Sequence, residues 1–190
     1  MAPRGETRER VLRTAADLFQ RQGYHGTGLN QVLADSGAPR GSLYFHFPEG
    51  KEQLASESVA LSGRTVSGAL AEAVLAAPDA RAGLAALGEH FARSLLDSDF
   101  GKGCPVATVA LETAAESETI RAACEAAYDE WQSGIAVALR GWGVPGERAE
   151  PLAALVLSSL QGAVMLARVR RDVSVIHQVT RQLSELARPE

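Results

Sequence analysis

The sequence predicts an all-α fold. Three observations carry this: Ala and Leu recur throughout a chain that is 46% hydrophobic, aromatic residues make up only 5%, and no β-branched run alternates with period two. The 190 residues suit one compact domain, or a small domain fused to a larger one, and show no repeat at the periods of solenoids or propellers.

About nine helices are expected. The first, over 6–22, has an apolar stripe of Leu12, Ala15, Ala16 and Phe19, widened by Val11 and Leu18, and stops at Gly23. Thr27 is placed to cap a second helix whose Leu29, Val32 and Leu33 face inward. Gly37 makes a tight turn, and Pro39 opens a third helix at the position where a missing N–H costs nothing. Pro48 ends that helix, and Gly50 and Lys51 open a long fourth one towards Ala77. Pro78-Asp79 restarts the pattern, and a fifth helix over 79–96 turns Leu84, Leu87, Phe91 and Leu95 inward. A polar loop over 98–103 precedes a short apolar helix over 106–113 and a long one over 117–140. Past a loop at 141–146 come helices over 147–169 and 172–187. The last shows Ile176, Val179, Leu183 and Leu186, the spacing of a seam for a partner helix. The last two helices, 147–187, are therefore expected to pair a homodimer. Pro78, Gly63 and Gly68 are the places where the connecting segment is expected to bend, although glycine in a helix also serves packing.

The most informative stretch is 30–51, NQVLADSGAPRGSLYFHFPEGK. Two short helices meet at a tight turn, and the second is rich in hydrogen-bonding groups: Arg40, Ser42, Tyr44 and His46. A small helix pushed forward by a turn, with donors on its outer face, suits the DNA major groove. Net charge is −4, which argues against a broadly basic nucleic-acid binder. Residues 1–52 nevertheless hold seven Lys/Arg against six Asp/Glu, leaving twelve against seventeen for the rest. Arg4, Arg8, Arg40 and Lys51 are expected to make the contact edge locally positive.

Taken together, G-Y-x-G-T at 23–27, the turn, G-S-L-Y-x-H-F at 41–47 and the lysine opening the fourth helix resemble the TetR family of transcriptional repressors. Gly103-Cys104-Pro105-Val106-Ala107, followed by Val109-Ala110-Leu111-Glu112, resembles its LmrA/YxaF-like branch. So does F-P-x-G-K at 47–51, which carries one residue more before the lysine than most of the family.

The resemblance implies a helix-turn-helix DNA-binding domain over 1–52 and a ligand-binding and dimerisation domain over 53–190. It implies a cytoplasmic homodimer bound to a palindromic double-stranded operator and released by a small-molecule effector. By similarity, Arg40 and Ser42 face base edges, where an arginine bound bidentately to guanine discriminates by about 1–3 kcal/mol. Phe45 takes a variable position, against a thymine methyl or the sugar backbone, and Gly41 permits close approach. Pro39 opens the recognition helix. Tyr44, His46, Lys51 and Thr27 are the phosphate contacts, while Gly28 and Leu29 offer only backbone N–H groups. Tyr44 also suits packing on the first helix, and His46 a cap; Leu43 and Phe47 are head core.

For the effector, a planar aromatic or lipophilic molecule, the expected lining is Phe91, Leu95, Phe100, Cys104, Val109, Tyr128, Trp131 and Met165, a set that equally fits plain core. Tyr128 and Trp131 share a helical face that suits a flat ring system, and Trp142 is a lid or a surface cover. Coupling between the domains is expected through the fourth helix.

The two cysteines, Cys104 and Cys124, form no CxxC pair, so no zinc site, metal or cofactor is expected. An alternative reading makes Cys104 the thiol of a redox-sensing regulator. A small helical enzyme has only Cys104 with His90 to build on, without a phosphate loop, HExxH or nucleophile elbow. The N-terminus has no apolar signal core and no run of eighteen apolar residues occurs, so no membrane association is expected.

Overall fold

The computed structural model describes residues 4–188, leaving aside the side chains of residues 4 and 73. Among these residues every regular element is a helix: α1 Arg4–Gly26, α2 Leu29–Ser36, α3 Ser42–His46, α4 Gly50–Ala76, α5 Ala80–Asp97, α6 Ala107–Thr113, α7 Glu118–Gly141, α8 Gly146–Arg170 and α9 Ser174–Leu186. The chain forms two compact units. One holds the residues up to Arg64 with Pro105–Ala127; the other holds Thr65–Cys104 and the residues from Tyr128 on. The expected boundary at residue 52 does not coincide with this division, because α4 runs unbroken through it and α6 packs along α1.

In the first unit, Val11, Ala15 and Phe19 of α1, Val32 of α2, Leu43 of α3, Phe47, and Leu54 and Val59 of α4 are buried. Gly37 caps α2 in the left-handed region (φ 61°, ψ 25°), returning its N–H to Ala34 and thereby turning the chain into α3. Gly23 breaks α1 near its end with φ 76° and ψ −179°, a conformation open essentially to glycine alone. Arg10 ties α1 to the turn by donating through Nε to the Ser36 carbonyl at 2.5 Å.

Two sequence expectations are corrected here. Thr27 does not cap α2: Gly28 holds that position, while the buried Thr27 hydroxyl donates to the Gly23 carbonyl at 2.7 Å. The third helix does not open at Pro39. The Pro39 carbonyl accepts the Ser42 N–H three residues on (2.9 Å) and the Ser42 hydroxyl (2.6 Å), an i→i+3 turn rather than a helical start. Gly63 packs closely on Ala127, whose Cβ would lie 2.9 Å from an added Cβ, and α4 is continuous through it.

In the second unit, α5 is capped by the Asp79 carboxylate, which accepts from the Ala82 N–H at 2.8 Å. Its Leu84, Leu87, Phe91 and Leu95 are buried. Helix α9 lies directly on α5, because Gly88 has no side chain to keep it off: an added Cβ would come within 2.6 Å of Thr180 and 3.2 Å of Ile176. Of the seam expected for a partner helix, Ile176 and Leu183 are buried within the unit, Val179 is half-buried and Leu186 is 50% exposed. The Trp142 ring rests on Gly83 in the same manner, which makes it a cover for the start of α5. By length and composition alone α4 and α8 would suffice to cross a membrane. In α8, one face is packed inside the unit through Leu152, Val156, Leu160 and Val164.

Candidate nucleic-acid interface and effector cleft

The third helix is only five residues long and buries one of them, Leu43. With Phe47 just beyond it, Leu43 anchors the helix and leaves the rest of its surface outward. Pro39, Arg40 and Gly41 are exposed on the approach turn. Tyr44 is 64% and Phe45 67% exposed, two large aromatic side chains side by side in water. The Phe45 ring meets His46 edge-on at 5.0 Å. Because the Ser42 hydroxyl gives its proton to Pro39, its free capacity is as an acceptor.

At the start of α4, Lys51 places its ammonium over the Tyr24 ring, 4.4 Å from the centroid. Burial pushes Lys51 below its ordinary pKa, against the opposing field of Glu112. Burial likewise raises the Tyr24 phenol, assisted by Glu52 and then Glu116. The Glu112 carboxylate, from α6, accepts from the His25 N–H at 2.8 Å just past the break in α1.

Two residues expected on the contact side are otherwise engaged. Thr27 is buried, so it presents no hydroxyl to a phosphate. Arg8 pairs with Glu57 at 2.5 Å and covers the Phe47 ring at 4.9 Å, which makes it a brace between α1 and α4. The expectation for the Arg4 side chain lies outside the described residues.

In the second unit, α4, α5 and α7 enclose a mostly apolar cleft of about 380 Å³. Leu70 and Val74 come from α4, Leu87 from α5, and Trp131, Ile135 and Ala138 from α7. Glu130 is the one ionisable group among the described lining residues. Ser67, also at the cleft, has a buried hydroxyl oxygen with no hydrogen-bond partner. Leaving such a group unpaired costs about 1–3 kcal/mol.

Of the residues expected to line an effector site, the cleft includes Trp131 alone. Tyr128 stands edge-on to Trp131 at 5.6 Å, so the two rings offer no common flat face. Phe91, Leu95 and Cys104 are buried away from this cleft, and Val109 belongs to α6 in the first unit. Phe100 sits in the α5–α6 loop in the left-handed region (φ 59°), beneath the Arg171 guanidinium at 5.4 Å. Met165 is 58% exposed on the outer side of α8, which removes it from a pocket wall. Ser67, Leu70, Val74, Leu87, Ile135 and Ala138 line the cleft and were not in the expected set. The helical spacing of Leu70 with Val74, of Trp131 with Ile135 and Ala138, and of Leu87 in its own stripe offered a sequence signal, and a core face gives the same pattern.

Residues 11–57 match the family of bacterial regulatory proteins, tetR family, and residues 80–182 match the transcriptional regulator LmrA/YxaF-like C-terminal domain. The chain is 37% identical to the uncharacterised HTH-type transcriptional regulator YxaF of Bacillus subtilis, covering 99% of this chain and 98% of that one. It is 36% identical to the HTH-type transcriptional regulator LmrA of the same organism, over 96% and 97%. Among solved structures it resembles a cysteine mutant of the TetR-family regulator CifR bound to 26 bp of double-strand operator DNA. The TM-score is 0.80 at 25% identity, over 93% of this chain and 94% of that one. These relatives regulate transcription and are not enzymes, which sets aside a catalytic Cys104–His90 pair. The exposed third helix thus belongs to a helix-turn-helix transcriptional regulator, and the chain is a member of the TetR family in its LmrA/YxaF-like branch.

Proposed function

We propose that this regulator is a cytoplasmic repressor that binds a palindromic operator as a homodimer and is released by a small lipophilic effector in the α4–α5–α7 cleft. The observation that carries the DNA side is the paired exposure of Tyr44 and Phe45 beside Arg40 on a helix too short to serve as core. Arg40 takes the guanine edge, Phe45 a thymine methyl or sugar, and Tyr44, His46 and Lys51 the phosphates. Ser42, whose proton is spent on Pro39, accepts from an adenine or cytosine amino group. Pro39 and Gly41 shape the approach.

The dimer reading rests on α8. Leu155, Met165, Leu166 and Val169 are exposed along one stripe, at the spacing of a helix–helix seam. Two heads related by a two-fold axis then place their recognition helices about 34–36 Å apart, or somewhat more.

The effector reading rests on the cleft. Apolar walls with one carboxylate and no basic group among the described lining residues favour a neutral or cationic molecule over an anion. The unpaired Ser67 hydroxyl supplies the polar anchor, and Trp131 a wall for a planar ring.

The test is operator anisotropy with DNA upstream of the protein's own gene, with and without a panel of planar lipophiles of different charge. Salt-sensitive binding released by neutral or cationic members supports the reading. Binding that carboxylate lipophiles release, and their neutral analogues do not, overturns the assignment of the cleft. Failure to select any DNA from a genomic library removes the operator reading.

A further inference from the structure

We propose that Glu112 is the positioning residue that fixes the phosphate-gripping end of the head, acting from α6 through the break in α1. The argument begins with the backbone. Where α1 breaks at Gly23, the helical hydrogen-bond ladder is interrupted and the His25 N–H is left for an outside acceptor. Glu112 supplies it, with Oε2 at 2.8 Å. The carboxylate lies in a notch that exists only because residue 23 has no side chain: an added Cβ would stand 1.9 Å from Oε1. The left-handed glycine and the glutamate are thus one device, a cap provided in trans by a neighbouring helix.

The device reaches the DNA-facing edge through Tyr24, the residue between the broken position and the capped one. Its ring carries the Lys51 ammonium at 4.4 Å. Further links run the same way: His25 Nε2 lies 3.6 Å from Glu116, and the Ser117 hydroxyl donates to Glu52, next to Lys51. Glu112 also opposes the lowering of the Lys51 pKa that burial causes. With the cap in place, the α1 end has one conformation, and Tyr24 presents Lys51 in one place. Without it, the His25 N–H turns to water and the platform under Lys51 loosens, although Lys51 itself is intact.

This rests on the reading of Lys51 as a phosphate contact, and the experiment separates the two. Operator affinity is measured for the full-length protein and for Glu112→Ala, Lys51→Ala and the double variant, with melting curves alongside. Glu112→Ala is expected to weaken operator binding about fivefold in the wild-type background and by less than about twofold when Lys51 is already alanine. Glu112→Gln, whose amide oxygen still accepts from His25, is expected to stay within about twofold of wild type. Should Glu112→Ala not fold, Glu112→Asp takes its place, one methylene too short for the bond. Losses that simply add, or a Glu112→Ala protein that binds as wild type, overturn the positioning role while leaving the Lys51 contact standing. An unaltered affinity in Lys51→Ala removes that contact and the positioning role with it.

Discussion

Replacing Gly23 by alanine tests the energetics of the α1 break directly. Two costs are expected. The pair φ 76°, ψ −179° lies in a region essentially closed to side chains, which costs about 2 kcal/mol. The new methyl also expels the Glu112 carboxylate, since the two would be 1.9 Å apart. The lost bond is charge-assisted but solvent-exposed, and is worth about 1 kcal/mol rather than the value of a buried one. Gly23→Ala should therefore destabilise the first unit by about 3 kcal/mol. Gly37→Ala is the internal control. Gly37 is also left-handed, but nothing lies within 4 Å of its added Cβ, so only a backbone cost of about 1 kcal/mol applies. Both tryptophans, Trp131 and Trp142, lie in the second unit, so their fluorescence does not follow the head. The measurement is urea unfolding followed by far-UV circular dichroism, with hydrogen exchange of the α1 amides. Glu112→Ala should cost about 1 kcal/mol alone and nothing further once residue 23 is alanine, because the bond is already broken. The reasoning fails if alanine at 23 is tolerated as well as at 37, or if Glu112→Ala costs the same in both backgrounds.

Arg40→Ala is expected to weaken operator binding by about tenfold or more while sparing random-sequence DNA; equal losses on both remove its base-reading role. Val169→Asp, at a position 78% exposed in the α8 stripe, should dissociate the proposed dimer in sedimentation without unfolding the protomer; an unchanged mass excludes this face. Burial holds His90 below its ordinary value of 6.5, so the unfolded chain binds its proton first and stability falls as pH drops below about 6.5. His90→Gln should flatten that part of the acid limb in pH-dependent unfolding, and an unchanged slope would refute it.

What the sequence made legible was whatever a short local rule determines. The turn of the head was readable because Gly37 acts within a few residues, and Leu43 and Phe47 because a helix this short needs an apolar anchor at each end. Thr27 and Pro39 were misread over three or four residues, and other misreadings came from partners distant in the chain. Arg8 was counted towards the DNA side because nothing local shows Glu57, forty-nine residues on. The α9 periodicity is covered only in part within the unit, through Ile176 and Leu183, while Leu186 stays 50% exposed. The missing Cβ at Gly88, the feature that lets α5 take that face, looks in the sequence like any small residue. The lining of the α4–α5–α7 cleft was least legible, since cleft walls and core use the same side chains. The distinguishing mark, a buried Ser67 hydroxyl without a partner, exists only once the helices are assembled.

Charge shows how the head must bind. The surplus over residues 1–52 is a single positive charge, and Glu112, Glu116, Glu118 and Glu125 against Arg121 add an acidic excess to the same unit. Arg8, Arg13 and Arg21 are paired with Glu57, Glu9 and Asp17. Attraction to DNA therefore comes from a few placed cations rather than from a basic surface. On the proposed contacts, Lys51 at a phosphate and Arg40 at a guanine edge, from each of two protomers, bring at most four cations into the operator complex. The logarithm of affinity should then fall against the logarithm of salt with a slope on the order of −4, shallower than for a basic repressor. Lys51→Ala should reduce that slope by about two, one for each protomer. A wild-type slope near −10 would mean that many further cations touch DNA, and the assignment of the contact face to α3 and the start of α4 would then be wrong.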